Sequence, residues 1–97
     1  MDDNRNNNEK IKSVKSKIER LIENGHLKEA MAALDMYEGK MPGDPDICSM
    51  RAVIYILEGK TDLAEKAIFK GLEKDTVHFD LLFNLAYIRE LQGQCQE

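Results

Sequence analysis

The chain has 97 residues, 42% of them hydrophobic and only 6% aromatic, with no Trp and a formal net charge of −4. That length suits one small domain, which buries roughly 60–65% of its unfolded surface, and abundant Ala, Leu, Ile, Glu and Lys favour helices over a β-sandwich. The acidic balance argues against nucleic-acid binding, which needs clustered cations that displace counterions.

The first eight residues, MDDNRNNN, are expected to form a disordered lead-in. They hold no apolar stretch for a signal-peptide route, so the expected location is cytoplasmic, either as a free protein or as the interior of a larger one. From there Ile11, Val14, Ile18, Leu21 and Ile22 recur at steps of three and four, which places them on one side of a first helix. Lys10, Lys12, Lys15, Lys17 and Arg20 make that helix basic. Lysines beside an apolar stripe ordinarily solvate a helix rather than mark a partner.

Asn24 and Gly25 end the first helix, glycine accepting the left-handed conformation just past a helix terminus. A second helix carries Leu27, Ala30, Met31, Leu34 and Tyr37 and ends near Gly39. In MPGDPD, Asp44 is the expected N-cap of a third helix, with Pro45 in its first turn. That helix, over about 45–58, is apolar nearly all round and is expected to be buried on several sides. After Gly59, Thr61 is the expected cap of a fourth helix with Leu63, Ala64, Ala67, Ile68 and Leu72. A fifth starts near residue 78 and carries Leu82, Leu85, Ala86 and Leu91.

The longest apolar run, Ala52 to Leu57, is far short of the roughly 20 residues that span a bilayer. No membrane association is expected. Cys48 and Cys95 form no CxxC and have no neighbouring His pair, so neither a zinc site nor a redox motif is signalled. Cys48, in the most apolar segment, is expected to be a small buried hydrophobe. His26 and His78 have no Cys or Ser partner at a recognisable spacing and are expected to be ordinary turn residues. GKT at 59–61 resembles the end of a phosphate-binding loop, but that motif needs a glycine five residues earlier, where this chain has Ile54. No catalytic residue, cofactor site or metal site is predicted.

Gly25, Gly59 and Gly93 stand 34 and 34 residues apart, a period that marks stacked helical hairpins. Units of 11–44, 45–78 and 79–97 align without a gap. The first two match at Ala30 and Ala64, Ala33 and Ala67, and Leu34 and Ile68. The second and third match at Asp46 and Asp80, Ala52 and Ala86, Ile54 and Ile88, and Leu57 and Leu91. This pattern resembles the tetratricopeptide repeat over residues 11–97, about two and a half repeats. The second unit supplies Ala52, Tyr55, Gly59, Ala64 and Gly71 and departs at Thr76, where proline is common. The first supplies Leu21, Gly25, Ala30 and Pro42 and departs at Ile18 and Tyr37, where the family has small residues.

The resemblance implies a right-handed α-solenoid of antiparallel helix pairs, five helices in all, with residues 9–97 as the repeat domain. It also implies a non-enzymatic module that binds a peptide or helix of a partner protein in its concave groove. In register, that groove is expected to include Lys15, Glu19, Met50, Val53, Ile56, Phe83, Asn84 and Tyr87; for Val53 and Ile56, packing on neighbouring helices is an equal alternative. A subgroup of the family, the heat-shock chaperone cofactors, clamps a terminal carboxylate at positions that are Lys15, Glu19, Met50, Asp80 and Asn84 here. Only Lys15 fits, and Glu19 and Asp80 repel a carboxylate, so a clamp of that kind is not expected.

The third unit stops before its second helix, leaving Leu81, Leu82, Phe83, Leu85, Tyr87, Ile88 and Leu91 without a successor to pack on. Self-association through the C-terminal helix, or excision from a longer protein, is therefore expected. Two further readings are an accessory arm of a larger enzyme, such as a bacterial glycosyltransferase, and a purely structural oligomerisation unit.

Overall fold

A computed structural model describes the backbone of residues 3–95 and the side chains of residues 9–93. It holds five helices and, among the described residues, no strand: α1 (Asp3–Glu23), α2 (Leu27–Lys40), α3 (Pro45–Leu57), α4 (Thr61–Lys74) and α5 (Phe79–Cys95). The all-α class is the one that composition predicts. No described helix is long and apolar enough to cross a membrane. The chain divides into two compact units, Met1–Lys40, which holds α1 and α2, and Met41–Glu97, which holds α3, α4 and α5.

In the first unit α1 packs on α2. Ile18, Ala30, Leu34 and Tyr37 are all buried, so the two positions where the repeat family has small residues hold large ones inside. α1 begins at Asp3, so helix occupies most of the stretch expected to be a disordered lead-in. That stretch contains neither Pro nor Gly to stop a helix extending backwards from Glu9.

The turn between α1 and α2 and the turn between α3 and α4 repeat bond for bond. His26 N–H donates to Leu21 C=O (2.8 Å) and Gly25 N–H to Ile22 C=O (3.1 Å); 34 residues on, Lys60 N–H donates to Tyr55 C=O (2.8 Å) and Gly59 N–H to Ile56 C=O (3.0 Å). This pair of bonds is the Schellman arrangement, in which the residue after the helix adopts a left-handed conformation. Gly25 (φ 81°) and Gly59 (φ 77°) supply it. An alanine meets no neighbour at Gly59, so only its backbone conformation is penalised, by about 1–2 kcal/mol. Gly59→Ala is therefore expected to lower the melting temperature by roughly 4–15 °C, read by calorimetry.

Gly93 departs from the period. It lies within α5, which runs on to Cys95, and its φ is not positive. A glycine inside a helix costs only about 1 kcal/mol, which is too little to force a turn where the next residues continue the helix. Asp44 caps α3 as expected, its Oδ1 accepting from Asp46 N–H (2.9 Å) with Pro45 at the first helical position. Thr61 does not cap α4. It is the first helical residue, and the cap position falls to Lys60, which makes no side-chain capping bond.

In the second unit α3 and α4 form the closest pair and α5 rests on both. Cys48, Ala52, Ala64, Ile68, Leu81 and Ile88 make its core. Cys48 is thus the buried small hydrophobe expected; the side chain of Cys95 lies outside the described residues. α3 also buries Ile47, Ser49, Met50 and Ile54, which agrees with its all-round apolar sequence. Arg89 ties α5 to α4: its guanidinium lies 3.0 Å from Glu65 Oε2 and 5.9 Å from the Phe69 ring centroid. The aromatic face and the carboxylate together hold a planar cation in place better than either alone.

Candidate peptide-binding face

Two helices of the second unit position the candidate face. Along α3, Asp46, Met50, Val53 and Leu57 follow one another at steps of four, three and four, and along α5 the positions 34 residues later are Asp80, Asn84, Tyr87 and Leu91. Such steps keep side chains on one side of a helix. Because α3 and α5 pack on one another, these are rows on neighbouring helices.

The predicted residues divide by exposure. Phe83 (63% exposed) and Tyr87 (45%) stand in solvent, and Val53 is half-buried. Leu57, outside the core set of eight predicted residues, is 58% exposed and extends the α3 row. Met50 is only 8% exposed and Asn84 is also buried. Ile56 is half-buried and packs against the core, the alternative left open for it. Lys15 and Glu19 belong to α1 of the first unit. Glu19 is exposed, while Lys15 holds its ammonium 5.9 Å from the Tyr37 ring centroid. Val53, Leu57, Phe83 and Tyr87 are therefore the apolar residues on α3 and α5 of this unit, named above for the face, that are at least partly exposed without packing on its core.

Two contacts went unpredicted. His78 is more than a turn residue: its Nδ1 accepts from Leu81 N–H (3.3 Å) at the start of α5, while its Nε2 lies 2.5 Å from Asp46 Oδ1 near the start of α3. Nδ1 as acceptor leaves the proton on Nε2, the tautomer that donates to the Asp46 carboxylate. One imidazole thus caps α5 and fixes it against α3, holding the two rows in register. The sequence marks only the two separate positions, His78 at the cap of α5 and Asp46 in the first turn of α3; their pairing comes from the packing of the helices. The second is Phe79, 76% exposed and stacked on Phe83 with ring centroids 6.3 Å apart.

The polar ends have a sign. Asp46 and Asp80 lie in the first turns of α3 and α5, where the helix dipoles favour negative charge. Asp80 is exposed, so that end of the face presents a carboxylate to a ligand cation. Among the described residues no group of three or more His, Cys, Asp or Glu side chains is placed to hold a metal ion. No family model matches the sequence, and no curated protein or solved structure matches the chain.

Proposed function

We propose that this protein is a non-catalytic protein-interaction module of the tetratricopeptide-repeat kind, whose α3 and α5 rows bind a segment of a partner protein. The observation that carries the reading is the exposure of Leu57, Phe83 and Tyr87, with Val53 half-exposed, on two helices that pack together. Large apolar side chains clustered in solvent are the kind of surface that a partner covers. The two turns repeating bond for bond at 34 residues support the repeat architecture.

The chemistry of the face selects the ligand. An amphipathic helix or extended segment offering Leu, Phe or Met contacts satisfies the apolar rows, and a Lys or Arg at one end of it meets Asp80. A free carboxylate terminus is disfavoured at that end by the same charge.

The test uses a random peptide library selected on the full chain. Selected peptides are expected to carry spaced apolar residues with a basic residue toward one end. Tyr87→Ala is expected to weaken their binding about tenfold, equivalent to roughly 1.4 kcal/mol, as read by titration calorimetry. Unchanged affinity in a Tyr87→Ala, Val53→Asp double variant that keeps its helical content would rule the face out. Met50→Lys is unsuitable for this purpose, because burying an unpaired ammonium disrupts the fold before it reports on a ligand.

A further inference from the structure

The side of α5 that faces away from the core carries a second apolar surface. Leu81 and Ile88 point inward and are fully buried, whereas Phe79, Leu82, Phe83 and Ala86 are exposed. Their spacing of three, one and three residues is that of a single helix stripe. Arg89, turned toward Glu65 of α4, and Glu90 are the charged residues that continue the stripe, and beyond them Gly93 is exposed, with nothing within 4 Å of where a Cβ would stand. Depletion of charge at the centre is the mark of an interface core rather than of ordinary surface.

We infer that this stripe is a dimer contact, in which α5 pairs antiparallel with α5 of a second copy about a two-fold axis at Ala86. The register follows from sizes and positions. Phe79 lies seven residues before Ala86 and Gly93 seven after it, so a two-fold through Ala86 sets each phenyl ring over the bare backbone at the partner's Gly93. Leu82 lies four before and Glu90 four after, so leucine rests on the methylenes of the glutamate while its carboxylate stays at the edge. Alanine meets alanine on the axis, which lets the helices approach closely. A parallel pairing instead stacks Phe79 on Phe79 and Gly93 on Gly93, a bulge at one end and a void at the other, with aligned helix dipoles.

The area suits this occupant. At about 200 Å² for a whole aromatic side chain, the exposed parts of the stripe offer roughly 400 Å² per copy. With the flanking residues, two copies bury about 1,000 Å², the lower limit for specific association. The dimer is therefore weak and reversible. It is centred on Ala86 and not on the row of Asp80, Asn84 and Tyr87, and it shares only Phe83 with the proposed peptide-binding face.

Sedimentation equilibrium of the full chain from about 10 µM to 1 mM tests it. The expected result is a monomer–dimer equilibrium whose dissociation constant rises at least tenfold in Ala86→Arg, with the helical circular dichroism of the wild type. In a Cys95→Ser background, Ala86→Cys is expected to oxidise to a disulfide-linked dimer, and Val53→Cys is not. A monomeric mass at every concentration, an unaltered dissociation constant in Ala86→Arg, or equal cross-linking through Val53→Cys would each overturn the proposal. Because the two surfaces share Phe83, Ala86→Arg is expected to bind library-selected peptides at least as tightly as the wild type, whereas Tyr87→Ala weakens peptide binding and leaves the dimer, so loss of the dimer and loss of the peptide site are read separately.

Discussion

Gly71→Leu will prevent the second unit from folding, and Gly71→Ala will destabilise it by up to about 2 kcal/mol. Gly71 is buried in α4 where α3 and α5 both close on it. A Cβ there stands 2.6 Å from Leu81 Cδ1 and 2.8 Å from Cys48 Cβ. The leucine methyl sits on a fully buried side chain with nowhere to swing, and Cys48 Cβ is attached directly to the α3 backbone, so the helices themselves must part. Overpacking of this kind costs about 1–3 kcal/mol for one added carbon. The gain in helix propensity from replacing glycine, about 1 kcal/mol, offsets only part of it. Leucine adds three more carbons, and the cost then approaches the whole of the roughly 5–15 kcal/mol available to a domain of this size. Gly39→Ala supplies the control. Gly39 is helical, has no positive φ and has nothing within 4 Å of a Cβ, so the same change there is expected to stabilise by about 0.5–1 kcal/mol. Urea denaturation separates the two signs.

Ile88→Ala is expected to cost about 2–5 kcal/mol, through lost apolar burial and the cavity left behind. Ile88 is fully buried in the core of the second unit, on the inward side of α5. At roughly 4–8 °C per kcal/mol for a domain near this length, the melting temperature falls by roughly 8–40 °C. Leu82→Ala, one and a half turns away on the outward side, removes a similar side chain from a half-exposed site and is expected to cost less than about 1 kcal/mol. If the two variants lost equal stability, the orientation assigned to α5 would be wrong.

How much of this was legible beforehand depended on the range of the interactions. Gly25 and Gly59 were readable because a left-handed helix end is a local demand that few residues other than glycine meet. The capping of α3 by Asp44 was legible for the same reason. Gly93 misled because spacing alone does not distinguish a glycine that ends a helix from one that a helix tolerates. The orientation of α5 was not legible at all: Leu81, Leu82, Phe83, Leu85, Tyr87 and Ile88 surround the helix, so periodicity singles out no inner face. Only packing on α3 and α4 separates Leu81 and Ile88, inside, from Leu82, Phe83 and Tyr87, outside. Met50 shows the converse, an expected groove residue that the fold buries. The link from His78 to Asp46 spans 32 residues, and no local rule encodes it. Gly71 was legible as a small residue late in a helix, although what it makes room for was not.

The proposed binding face is tested most directly by nuclear magnetic resonance of the full chain titrated with a library-selected peptide. The expected result is that amide and methyl shifts concentrate at Val53, Leu57, Phe83 and Tyr87, with Asp80 responding to the basic end of the peptide. Shifts confined to α1 and α2, or centred on Phe79, Leu82 and Ala86, would contradict it.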